Sequence, residues 1–193
     1  MKTSKFFGLV LAMGIALLAR LSYAEDFSAD MVSSSSEGSF TGKIYVSGEK
    51  SRMEMPEAIT ISRIDKKVAW VLMPSEKMYM EQPLNLHSVA STSEKMDGEI
   101  ERKAEGREMI NGRNTTKYRV AYQVEGKRED VYQWIDEAAH IPVKTAAIDG
   151  NWSSEFKNIR TGSQDQSLFE IPSGYRTMSF DMPDLKSLLG GME

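Results

Sequence analysis

Apolar and polar residues alternate along most of this chain with a period of two, the pattern of half-buried β-strands. Across Ser39–Ser47, Phe40, Gly42, Ile44 and Val46 share one face, while Thr41, Lys43 and Tyr45 take the other. Gly48-Glu49-Lys50 has turn chemistry, after which Arg52-Met53-Glu54-Met55 alternates again. Beyond Pro56, Ala58–Ile64 is rich in β-branched residues. Asp65-Lys66-Lys67 then turns the chain into Val68–Met73, which is apolar on both faces and so predicts a central strand. Pro74-Ser75-Glu76-Lys77 turns it once more into Met78-Tyr79-Met80. Connections this short cannot make parallel crossovers, so the pattern predicts an antiparallel meander. Phe27–Val32 also reads as a strand.

The alternation lapses between Leu84 and Met96, where Leu84, Leu86, His87, Ala90 and Met96 fit no single face and serines interrupt. A short helix or a lid-like loop is expected there. Asp97–Glu108 is densely charged and punctuated by glycine, either a solvated hairpin or a mobile edge. Period two returns in Thr115–Val124, through Tyr118, Val120, Tyr122 and Val124. Val131–Ile135, Val143–Ile148 and Trp152–Ile159 come next as strands, parted by Glu125-Gly126-Lys127, His140-Ile141-Pro142 and Asp149-Gly150-Asn151. The last of these is a hairpin turn by composition. Asp184–Leu189 suggests one or two turns of helix, with Asp184 as cap and Leu185, Leu188 and Leu189 as the apolar side.

The first twenty-four residues change the picture from fold to location. Lys2 and Lys5 precede an apolar run from Phe6 to Ala19, and Ser22-Tyr23-Ala24 offers small side chains where a signal peptidase reads them. At 1.5 Å per residue that run makes a helix of roughly 21 Å, short of the ~30 Å hydrocarbon core. A secretory signal (1–24) cleaved after Ala24 is therefore expected, followed by one domain (25–193) in the periplasm or otherwise exported.

The chain carries 24 basic and 28 acidic residues, and three of the basic ones (Lys2, Lys5, Arg20) lie in the leader. An acidic exported domain repels phosphate backbones, which argues against a nucleic-acid partner. No second apolar stretch is long enough to span a bilayer, so an integral membrane protein is not expected after cleavage. The absence of cysteine removes disulfides, thiolate metal sites, a cysteine nucleophile and lipid attachment at cysteine.

Ser39–Met55, Ile64–Glu81, Tyr132–Thr145 and the closing Leu168–Met178 (LFEIPSGYRTM) together resemble the superfamily of bacterial lipoprotein carriers and receptors, LolA and LolB. More closely, the chain is similar to a family of small exported bacterial proteins of that fold whose function is uncharacterised. The resemblance covers most of Phe27–Met178 and implies a strongly curved, incomplete β-barrel with a hydrophobic concave face. Two features depart from the carriers. They begin with a helix inside the barrel, whereas Phe27–Val32 reads as a strand. They also use a gating arginine, and the motif around Arg52, in a loosely corresponding region, does not match well enough to carry that role over.

The expected fold class is thus mainly β: an open, strongly curved antiparallel sheet with one or two short covering helices. Candidate chemistry centres on methionine, of which the chain has 13. Met53 with Met55, and Met78 with Met80, are i, i+2 pairs that project from one side of a strand. Unbranched thioethers repack around varied apolar ligands, which suits an acyl chain or a lipidated peptide. Ile44, Ile61, Trp70, Leu72, Tyr118, Val120, Trp134 and Phe156 are candidates for the same concavity, or for plain core packing. Met-x-Met also suits Cu(I), with His87 or His140 completing a site, although no resident metal or cofactor is expected. Neither histidine sits beside a nucleophile or an orienting carboxylate in sequence, the Asp136-Glu137 pair is weak evidence for glycosidase chemistry, and no enzyme signature is present. The expected function is non-enzymatic binding of an apolar small molecule or lipid in the bacterial cell envelope. The alternatives are an interaction or stress-sensing module that docks an envelope protein through the charged Glu99–Glu108 stretch, and a periplasmic copper binder.

Overall fold

The computed structural model describes residues 25–84, 92–124 and 126–178. They form one open sheet of twelve strands. The first meander comprises β1 (Phe27–Ser35), β2 (Gly38–Ser47), β3 (Lys50–Glu54), β4 (Ile59–Arg63), β5 (Val68–Met73) and β6 (Met78–Pro83). The second comprises β7 (Glu99–Ile110), β8 (Arg113–Val124), β9 (Lys127–Asp136), β10 (Pro142–Ala147) and β11 (Trp152–Thr161). β12 (Arg176–Thr177) is a two-residue edge strand. Spatial order is β12-β6-β5-β4-β3-β2-β1-β11-β10-β9-β8-β7, so the meanders meet at a β1–β11 seam in the middle of the sheet. All pairings are antiparallel except β12 with β6.

The predicted strands and turns are present, as is the expected mainly β, open-sheet class. Gly48 supplies the positive φ that the tight β2–β3 turn requires, and Lys67 adopts the left-handed conformation after a 3-10 turn at Ile64–Lys66. The charged Asp97–Glu108 stretch proves to be an edge: β7 forms the outer margin of the sheet, paired on one side only, with β8. Covering helices among the described residues reduce to a single 3-10 turn, Gln166–Phe169, capped by the Asp165 side chain accepting from the Ser167 N–H at 2.9 Å. Residues 85–91 of the expected helix or lid, Glu125 of the expected Glu125-Gly126-Lys127 turn, the leader and the Asp184–Leu189 helix lie outside the described residues. Ser93–Lys95, within the same expected segment, form a bend.

The sheet has apolar packing on both of its faces. On the first, Phe27, Ala29, Met31, Ile44, Val46 and Phe156 pack with Ala139 and Ile141 from the β9–β10 corner. On the second, Ile61, Trp70, Leu72 and Phe169 form a separate cluster with Tyr45, Ile59, Val68, Tyr79, Leu168, Ile171 and Tyr175. The chain after β11 crosses the second face of β2–β6 and supplies the cover that a strand pattern alone does not reveal.

Close approach of β2 and β3 depends on one residue. A Cβ on Gly42 would stand 2.5 Å from the Glu54 carbonyl oxygen, well inside contact distance. Glycine within a strand is ordinarily worse than alanine by about 0.5–1 kcal/mol. Here the clash reverses the sign, because backbone cannot step aside as a side-chain tip does. Gly42→Ala is expected to destabilise by about 1–3 kcal/mol, read as a lowered urea midpoint. An unchanged or raised midpoint would show that β2 and β3 separate freely.

Candidate functional site

Strand pairing places each candidate residue on a face. Ile44 lies opposite Met53, Met53 opposite Thr60, Thr60 opposite Val71, and Val71 opposite Met80. These residues form one transverse row across β2–β6 on the Phe27 face. The adjacent row on the same face runs from Met31 and Gly42, through Met55 and Ala58 at the β3–β4 turn, to Met73 opposite Met78. In the hairpin, the Met55 N–H donates to the Ala58 carbonyl at 2.9 Å, closing that row. The two rows concentrate Met53, Met55, Met73, Met78 and Met80 on one surface, all of them half-buried. The row on the other side holds Ser51, Ser62, Ala69 and Gln82, so the apolar area has a polar margin.

β12 extends this surface. Thr177 pairs with Tyr79 and its hydroxyl donates to the Tyr79 hydroxyl at 2.9 Å, which fixes Thr177 on the second face. Alternation therefore puts Met178 on the methionine face beside Met80, with its N–H donating to the Tyr79 carbonyl at 2.7 Å.

The other candidates divide differently. Ile61, Trp70 and Leu72 stand on the opposite face, buried beneath Phe169. Val68–Met73 is accordingly split: Ala69, Val71 and Met73 share the methionine face, and Val68, Trp70 and Leu72 share the covered one. Trp134 is likewise on the second face, its Nε1 donating to Glu108 at 3.0 Å, with Lys117 and Lys144 over the ring. Phe156 and Ile44 are buried in the first-face cluster, where Phe156 meets Phe27 at 5.8 Å between ring centroids. Tyr118 and Val120 share the first face but lie next to Arg102, whose guanidinium sits 4.8 Å from the Tyr118 ring centroid. Arg102 donates to Glu99, to the Glu94 carbonyl and to the buried Gln133 amide oxygen. Burial raises the Glu99 carboxyl, but the Arg102 hydrogen bonds and the Met96 N–H outweigh it and leave its pKa lowered.

The cover over Trp70 is anchored by two buried arginines. Arg52 donates to the Leu168 carbonyl at 3.0 Å and pairs with Glu54 at 2.7 Å. Arg63 grips Asp65 with two hydrogen bonds, at 2.8 and 2.7 Å, and donates to the Phe169 carbonyl at 3.1 Å and to Glu170. Consecutive carbonyls of the C-terminal segment are thus held by guanidinium groups from neighbouring strands. Arg52, weighed against a gating arginine in the sequence, has this anchoring contact.

His140 pairs its Nδ1 with Glu94 at 3.0 Å, while His87 lies outside the described residues. Among the described residues no three His, Cys, Asp or Glu side chains come together as a metal site. What the methionine face offers chemically is thioether and methyl surface, a medium for hydrocarbon. Sequence reading missed Met73, Val71 and Met178 as parts of it. The signal was present in the turns, because each hairpin from β2 to β6 pairs an even-numbered residue with an odd-numbered one.

The sequence pattern of a family described as a domain of unknown function, DUF4412, matches residues 28–138. No curated protein sequence matches the chain significantly. Among solved structures, an uncharacterised conserved protein from Thermus thermophilus is similar at 11% identity and a TM-score of 0.56, over 80% of this chain and 90% of that one. MucB is similar at 13% identity and 0.53, over 79% of this chain and 59% of its own. A putative outer membrane lipoprotein-sorting protein domain from Vibrio parahaemolyticus aligns at 13% identity and 0.38, over 76% and 89%. The fold is shared with the Thermus thermophilus protein and with MucB, both at TM-scores above 0.5. Among the described residues no helix is long and apolar enough to cross a membrane.

Proposed function

The chain belongs to the DUF4412 family, and on that premise we propose that it is an exported, non-enzymatic protein of the bacterial envelope that binds a hydrocarbon chain. The observation that carries this reading is the half-open face of Met53, Met55, Met73, Met78 and Met80, lying back to back with a face the chain covers itself. Burial of an acyl chain there would stabilise the complex by roughly 0.8 kcal/mol per CH₂ removed from water. A head group would lie toward the exposed Gln82 at the β6 edge.

Native mass spectrometry of the protein purified from its own envelope, followed by lipid extraction, tests the reading directly. A stoichiometric lipid or acylated peptide supports it. A bare mass with no uptake of a dansylated undecanoic acid probe overturns it. Met55→Asp with Met80→Asp is expected to weaken probe binding by about tenfold or more, since each carboxylate must otherwise be desolvated against the chain. Thr41→Asp, exposed on the opposite face of β2, is expected to leave binding unchanged.

A second reading has one observation of its own. Edge strand β7 exposes Ile100 (57%) and Met109 (71%) beside its unpaired margin, an arrangement suited to adding a strand from an envelope protein. Recovery of one partner by crosslinking from β7, with no lipid bound, would favour it.

A further inference from the structure

We propose that Met73, Met78, Met80 and Met178 form a thioether site for a soft monovalent cation of the Cu(I) type, which goes beyond the hydrocarbon reading and does not depend on it. Strand register brings these residues together from β5, β6 and the end of β12. Met73 and Met78 stand directly opposite one another across the β5–β6 hairpin, where facing Cβ atoms are about 4.5–5.5 Å apart. Met80 follows Met78 by two residues and so projects from the same side of β6. β12 lies alongside, with Arg176 opposite Met78 and Thr177 opposite Tyr79. The Met178 N–H donates to the Tyr79 carbonyl at 2.7 Å. Met178 therefore stands beside Met80, about one strand spacing of 4.8 Å away.

All four residues are half-buried, open enough for an ion to reach them from the β6 edge. The methionine side chain is unbranched and flexible, so thioethers at this spacing can turn onto a single ion. A thioether is a neutral, polarisable donor, which favours Cu(I) or Ag(I) over harder ions. Lys77 and Arg176, both exposed, adjoin Met78 along the chain and across β12. Their charge penalises a divalent ion about twice as strongly as a monovalent one. The other methionine pair lacks this convergence, because Met53 is flanked by Ile44 and Thr60 rather than by sulfur. No histidine is required either: His140, a candidate on sequence grounds, stands with Glu94 at the β9–β10 corner.

Ag(I), the air-stable counterpart of Cu(I), tests the site when titrated into the full chain with isotope-labelled methionine methyl groups. The methyl resonances of Met73, Met78, Met80 and Met178 are expected to shift together and to stop shifting at one equivalent. That of Met109, 71% exposed on β7, is expected to stay in place. Met78→Leu with Met80→Leu keeps the apolar volume and removes two sulfurs. Cu(I) affinity, measured under ascorbate against a weak chelator, is expected to fall by about tenfold or more in that variant. Met109→Leu is expected to leave it unchanged. Shifts spread over Met109 as well, affinity unmoved by the double variant, or Zn(II) binding as tight as Cu(I) overturns the site. These titrations contain no lipid, so either result leaves the hydrocarbon reading to its own test.

Discussion

Replacing Phe169 with alanine is expected to cost about 3–5 kcal/mol, a large part of the 5–15 kcal/mol that holds a domain of this size together. Phe169 is fully buried, and Ile61, Trp70 and Leu72 pack against it from β4 and β5. Its removal leaves a cavity that the sheet cannot collapse to fill, because the strands are pinned by their own ladders. The lost side chain is also the plug of the segment, so Leu168, Ile171 and Tyr175 lose their seat with it. Urea denaturation gives the magnitude. Trp70, one of three tryptophans, reports the location through a red-shifted emission as its cover loosens. A loss under about 1 kcal/mol would show that the C-terminal segment does not dock as described. In native buffer the same variant is expected to keep the methionine face working, since the two surfaces lie on opposite sides of one sheet.

Asp136→Ala is expected to be comparably severe, at about 3–5 kcal/mol, for an electrostatic reason. The side chain is 4% exposed at the end of β9. One carboxylate oxygen accepts from the Ala138 and Ala139 N–H groups at 2.8 and 2.9 Å, and the other from Arg113 at 2.6 Å. Arg113 in turn donates to the Ile159 carbonyl on β11 at 3.0 Å. Without the carboxylate, the buried Ala139 N–H and a partly buried guanidinium both lose their partner. Asp136→Asn preserves the shape and one acceptor, so its cost is expected to be smaller. Burial raises the Asp136 pKa, but Arg113 and the two amides more than offset this, leaving it below the usual carboxylate range. A carboxyl depressed in the folded state stabilises above its unfolded pKa and loses that contribution as pH falls through the folded one. Stability should therefore decline from about pH 4 downward. Asp65 and Glu170, lowered by Arg63, act in the same direction. A smaller acid sensitivity in Asp136→Asn than in the parent checks the assignment.

The strands were legible because period two and turn chemistry agree along the chain. Val68–Met73 and the turn after Met73 have the bounds that the pattern predicts, while β3 begins at Lys50, inside the expected turn after Ser47. Two things were hidden. β1 pairs with β11 across more than a hundred residues, and nothing local in Phe27–Ser35 announces that partner. The Leu168–Tyr175 segment has no periodicity, so its role as cover for Ile61, Trp70 and Leu72 comes only from three-dimensional packing. That cover is why the proposed binding residues divide between two faces. An apolar residue on a strand says that something covers it, and only the register says which side. For the methionines the register could be counted through short hairpins, whereas Trp134 and Phe156 sit beyond the long-range seam.

The central position of β1 has a consequence for the order of events in the cell. Ser33 meets Ser153 at a separation of 120 residues, so β1 waits for a partner strand made more than a hundred residues later. Loop closure of that length comes before the seam returns any stabilisation, and sheets dominated by such contacts fold in milliseconds to seconds. Until β11 emerges, the two meanders are separate halves with open edges. A sheet built this way closes its central seam last, when β11 docks between β1 and β10.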